Sequence, residues 1–81
     1  MDIEARIRDD IEKFNGSVKK FEKSRINQIK EEDLLEVFKL AKMYASDSES
    51  WLKKKDYYTA FASIAYAHGL LDALLKLLQV G

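Results

Sequence analysis

One stretch near the C-terminus limits what this chain can become. Tyr57, Ala60, Ile64, Ala67, Leu71, Leu74 and Leu78 follow one another at alternating spacings of three and four. That alternation returns a side chain to the same side of an α-helix once per turn, so the seven residues form one stripe. Phe61, His68 and Leu75 border it on one flank, and Ser63, Leu70 and Leu77 on the other. From Tyr57 to Gly81 only Asp72 and Lys76 are charged. An apolar arc this wide needs more than one neighbouring element to cover it.

The preceding residues supply two such elements. Ile3, Ile7, Ile11, Phe14, Val18 and Phe21 repeat every three or four positions and predict a first helix over about 2–24. Asn15-Gly16-Ser17 reads as a stop signal followed by a new N-cap. Phe14, Val18 and Phe21 nevertheless keep one phase across Gly16. The expectation is therefore a continuous helix that carries a glycine at a cost of about 1 kcal/mol relative to Ala. Beyond Phe21 the stripe is lost, so residues 25–31 are the connection, with Ile26 and Ile29 folded under the core.

A second helix is expected over about 31–54. Leu34, Phe38, Ala41, Ala45, Ser48 and Leu52 make its main row, and Val37, Tyr44 and Trp51 a second row beside it. Asp33 and Glu36 resemble a capping box. Lys53-Lys54-Lys55 close the helix, and Asp56 is the N-cap of a third helix over about 56–79. So short a connection joins antiparallel neighbours. Each proposed helix is acidic at its start and basic at its end, as the helix dipole favours. No strand pattern competes. The fold expected is all-α, a single domain over residues 1–81 built as an up-down-up three-helix bundle.

Composition narrows the chemistry. There is no cysteine, which removes disulfides, thiolate nucleophiles and cysteine metal sites. Fourteen basic residues balance fourteen acidic ones, whereas nucleic-acid and membrane-surface binders usually carry a clear basic excess. The basic clusters at 19–25 and 53–55 fall at opposite ends of an up-down-up bundle, each beside acidic residues, so they form no phosphate-binding track. Asp72, with Thr59, Ser63, His68 and Lys76 around it, argues against a membrane span. The acidic start Met1-Asp2-Ile3-Glu4 lacks the apolar core of a signal peptide. The reading is a soluble cytoplasmic protein with no nucleic-acid or membrane partner, no cofactor and no metal.

Two features invite a functional reading. His68 is the only histidine, and Asp72 lies one helical turn further on. Antiparallel pairing puts Tyr44 and Asp47, from the middle of the second helix, near the middle of the third. Tyr44, Asp47, Tyr66, His68 and Asp72 thus make a candidate polar cluster. It is either a small-ligand or acid/base site or a hydrogen-bonded seam that fixes helix register. No G-x-S-x-G, P-loop, G-x-G-x-x-G or H-E-x-x-H accompanies it. The second feature lies on the back of the third helix. Ala62, Ala65, Gly69 and Ala73 form a track of small residues bordered by Tyr58, Tyr66, Leu70 and Leu77. Close approach of another backbone would explain Gly69, and that backbone is either the first helix of the same chain or a partner.

Tyr44-x-x-Asp47, Asp56-Tyr57-x-x-Ala60-Phe61 and Tyr66-Ala67-His68-Gly69-Leu70-Leu71-Asp72-Ala73 together resemble the archaeal family known as domain of unknown function 357. The likeness covers the second and third helices, while the first is similar only in being amphipathic. It implies a small up-and-down three-helix bundle of the albumin-binding-domain type, from an archaeon, with no established activity. It also marks Tyr44, Asp47, Tyr66, His68, Gly69 and Asp72 as positions to watch. Lys55 is a departure, because such sequences tend to carry Gly there, and a left-handed backbone would strain any other residue. The stretch is more vaguely similar to tetratricopeptide hairpins, to microtubule-interacting-and-transport domains and to prokaryotic nucleotide-binding and RNA-cleaving helical domains. The RNA-cleaving ones use an Arg a few residues before the His, and none precedes His68 within the third helix. The function expected is a non-enzymatic interaction or self-association module acting through that helix. The alternative is a small-ligand or hydrolytic site at Tyr44, Asp47, His68 and Asp72.

Overall fold

A computed structural model of the chain describes residues 2–24 and 32–77. Three helices account for almost all of them: α1 (Ile3–Ser24), α2 (Glu32–Lys53) and α3 (Tyr57–Leu77). Each runs about 30–33 Å at 1.5 Å per residue, matching the long axis of a body measuring 38 × 20 × 16 Å. The three ends that fall inside the described residues, at Ile3, Lys53 and Tyr57, lie within one residue of the sequence reading. The expected connection at 25–31, with Ile26 and Ile29, lies outside the described residues, as does Leu78.

Contacts between named residues fix the topology. Phe21 meets Phe38 with ring centroids 4.7 Å apart, so the end of α1 lies beside the start of α2. Ser48 reaches Ala60 and Tyr44 reaches Tyr66, so α2 and α3 run antiparallel. Glu4 bonds Tyr57 and Asp10 bonds His68, so α1 and α3 run parallel. The bundle is up-down-up. Its closest packing is between α2 and α3, and α1 rests mainly on α3 with little direct contact to α2. The C-terminal helix is thus the one both others lean on.

The core is drawn from the stripes read from the sequence, but Ile3 and Trp51 are exposed and Leu34, Val37, Tyr44 and Tyr57 only half-buried, since they sit at the ends or edges of the rows. Ile7, Ile11, Phe14, Val18 and Phe21 are buried from α1, and Phe38, Ala41, Ala45, Ser48 and Leu52 from α2. Ala60, Ile64, Ala67, Leu71 and Leu74 are buried from α3. Alanines at facing positions of α2 and α3 let those helices approach closely, which accounts for their extensive contact. Among the described residues Ser48 is the one buried polar side chain, and its hydroxyl donates to the Ala60 carbonyl at 2.6 Å. α1 passes Gly16 without a break. A Cβ there would meet nothing within 4 Å, so the glycine serves no close approach within this chain.

Helix ends follow from local chemistry. Asp2 caps α1: its carboxylate accepts from the Glu4 amide at 3.2 Å and its carbonyl from the Arg6 amide at 3.0 Å. The capping box expected at Asp33 and Glu36 is not formed. α2 already begins at Glu32, which places Asp33 inside its first turn, and Glu36 lies 3.9 Å from Lys39 instead. At the other end of α2 the Lys55 amide donates to the Leu52 carbonyl and the Asp56 amide to the Trp51 carbonyl, each at 3.0 Å. This pair of reversed bonds is a Schellman motif, and it requires a left-handed residue at Lys55, whose φ is 63°. Asp56 then opens α3 by accepting from the Thr59 amide at 3.1 Å and the Thr59 hydroxyl at 2.8 Å.

By length and composition α3 could also cross a membrane, with a mean hydropathy of 1.2 over its most apolar window. In the bundle its core row is closed off by α1 and α2, while its outer side is left bare.

Candidate functional site

The five residues of the candidate polar cluster do not meet in one place. His68 lies on the flank of α3 that faces α1. Its Nε2 is 2.8 Å from the Asp10 carbonyl oxygen, and since a carbonyl only accepts, that nitrogen carries a proton and donates. The ring stands edge-on to Phe14, with centroids 5.6 Å apart and planes at 87°. The expected His68–Asp72 pair is absent, because Asp72 is exposed and turned further from α1. Tyr66 is two residues from His68, about 200° around the helix, and lies on the α2 side. There it packs against Tyr44 with centroids 4.6 Å apart. Asp47, one turn along from Tyr44, is half-buried. The cluster therefore divides into a histidine that braces α1 against α3, a tyrosine pair on the α2–α3 seam and two separate carboxylates, Asp47 half-buried and Asp72 exposed. Among the described residues no three His, Asp or Glu side chains are grouped to hold a metal ion.

A second polar tie joins α1 to α3 and was not foreseen from the pattern. The Tyr57 hydroxyl donates to Glu4 Oε1 at 2.9 Å, and Arg8 bonds the other Glu4 oxygen at 3.1 Å. These bonds, Tyr57 first and Arg8 second, pull the Glu4 carboxyl below its ordinary range. The same bond, with some burial, pushes the Tyr57 phenol up. Its signal in the sequence is a tyrosine, rather than an aliphatic residue, at the head of the α3 stripe, opposite an acidic first turn in a parallel helix.

The outer side of α3 is the other candidate surface. Tyr58, Leu77 and Tyr66 are 90%, 71% and 53% exposed, and Ala62, Ala65, Gly69 and Ala73 are exposed between them. Leu70 is half-buried at the edge of the face. A Cβ built on Gly69 would meet nothing within 4 Å. The first helix, which meets α3 along the flank of His68, is therefore not the close neighbour that would explain this glycine. At its N-terminal end the face runs into an apolar groove of about 630 Å³ lined by Ile3, Tyr57, Tyr58, Phe61, Ala62 and Ala65. Arg6 lies over the Phe61 ring, 5.7 Å from its centroid, on the groove's α1 side. A smaller, more polar cleft of about 280 Å³ lies between α1 and α2, beside Arg8, Glu12, Asn15, Glu49 and Lys53.

Fold and surfaces together define a small all-α domain with an exposed apolar face on its third helix. The chain belongs to the family described as protein of unknown function (DUF357), which it matches over residues 9–78. The match takes in most of α1, so the likeness extends beyond the second and third helices to which the motifs confined it. Among curated proteins none matches the chain.

Proposed function

We propose that this chain is a non-enzymatic protein-interaction module that docks through the outer side of α3. The observation that carries the reading is the exposure of Tyr58, Tyr66 and Leu77 on one helix, around a glycine with open space in front of it. A bundle this small has little apolar surface to leave in water, and contiguous exposed patches generally mark contact sites. The reading takes α3 as the core rod of a globule rather than a membrane span, because Ala60, Ile64, Ala67, Leu71 and Leu74 are buried against α1 and α2. The polar cluster favours the same side of the choice. His68 is occupied by a backbone carbonyl and a phenyl ring, and no nucleophile stands beside it.

The test is the apparent mass of the tagged chain in an extract of cells that make it. The parent is expected to sediment above its own 9.4 kDa plus tag, and Ala65→Glu to fall to that mass while Lys13→Glu, on the outside of α1, does not. A parent already at its own mass, or a complex indifferent to Ala65→Glu, removes the proposal.

A further inference from the structure

We propose that the occupant of this face is a second copy of the chain, lying antiparallel on α3 about a two-fold axis between Ala62 and Ala65. This rests on the interaction reading above. The face is complementary to itself. It carries a projecting knob, Tyr58, and a bare notch at Gly69. The two are eleven residues apart, close to three whole turns, so they point the same way about 16 Å apart along the axis. With the two-fold axis halfway between them, each Tyr58 lands on Gly69 of the other copy. Ala62 and Ala65 of the two copies meet at the centre, where small side chains permit close helix approach. The 65–72 stretch of each copy lies along the groove walled by Ile3 and Phe61 of the other.

Charge agrees with this register. Asp72 is exposed and makes no hydrogen bond or ion pair among the described residues. The antiparallel placement sets it beside Lys54 and Lys55 of the other copy, the exposed turn ahead of α3. The carboxylates near that turn are engaged, Asp56 by Thr59 and Glu4 by Arg8 and Tyr57, while Lys54 lies over the Trp51 ring at 4.9 Å and can swing from it to Asp72. The contact is small. A buried aromatic covers about 150–250 Å², so Tyr58 and Tyr66 of the two copies supply most of an interface at or below the lower edge of the standard size.

Sedimentation equilibrium of the purified chain alone, over a dilution series from millimolar concentration, tests this. The parent is expected to approach twice 9.4 kDa at the top of the series and to fall towards 9.4 kDa on dilution. Gly69→Leu should remain at 9.4 kDa throughout with an unchanged or higher thermal midpoint, since nothing crowds that position in the single chain. Asp72→Lys should weaken association several-fold, and Lys54→Asp with Lys55→Asp should restore it in the same chain. A purified parent of 9.4 kDa at every concentration overturns the second-copy proposal; a high mass in the cell extract would still support the interaction reading. A dimer untouched by Gly69→Leu and Asp72→Lys overturns it as well, by putting the contact elsewhere.

Discussion

Lys55 is the residue whose backbone is at odds with its side chain. Its φ of 63° is the left-handed conformation that the Schellman bonds from Lys55 and Asp56 demand. A Cβ makes that conformation cost about 1 kcal/mol, and glycine removes the penalty while adding some freedom to the unfolded chain. Lys55→Gly should therefore stabilise the domain by about 0.5–1 kcal/mol, seen as a thermal midpoint several degrees higher. Lys55→Val should move it the other way. The residues themselves placed the helix end no more finely than Lys53 to Lys55. This position was legible in advance only through the family resemblance, which puts a glycine before the aspartate. His68 was not. Its neighbour in sequence, Asp72, suggested a pair, yet the ring found a carbonyl on α1. Spacing along one helix names the flank a side chain occupies but not which partner across the groove will be nearest. The spread of Tyr66 and His68 to opposite flanks, by contrast, follows from 100° per residue and was open to arithmetic.

Among the elements, α1 depends on α3 for most of its anchorage. Phe14 is the centre of that contact, fully buried and edge-on to His68. Phe14→Ala should cost about 3–5 kcal/mol, a large part of what so small a bundle has, and urea unfolding should show the loss. The N-terminal tie between Glu4 and Tyr57 adds a pH window. Glu4 titrates lower folded than unfolded, so its contribution is present above its ordinary value of 4.5 and is lost as pH falls through the folded value. Tyr57 titrates higher folded than unfolded, so its contribution is present below its ordinary value of 10 and is lost as pH rises through the folded value. Tyr57→Phe should accordingly be less stable than the parent at neutral pH, with the difference closing in acid and again in strong base. Urea midpoints across that range measure it. A gap that persists unchanged into acid would show that the phenol matters only for packing.

For the molecule as a whole, the stripes carried nearly everything about the fold. The row of α3, the two rows that cover it and the acidic-to-basic run of each helix all point to the same three rods, and the buried residues are those of the rows. The pattern could not say how unequally the rods share their contacts, because a stripe gives an apolar direction and not a distance. The alanines of α2 and α3 decide that, by drawing those two together and leaving α1 beside them. Nor could it say that Gly69 would face outward, since a small residue suits a tight contact and an open surface equally well.

Asp56 limits how the length of this chain can change. The same residue terminates one rod and initiates the next, through its amide on one side and its carboxylate on the other. An extra residue spliced into that corner would oblige both rods to find new terminators at once. Growth or shrinkage of this chain is therefore least tolerable at the elbow where it looks simplest.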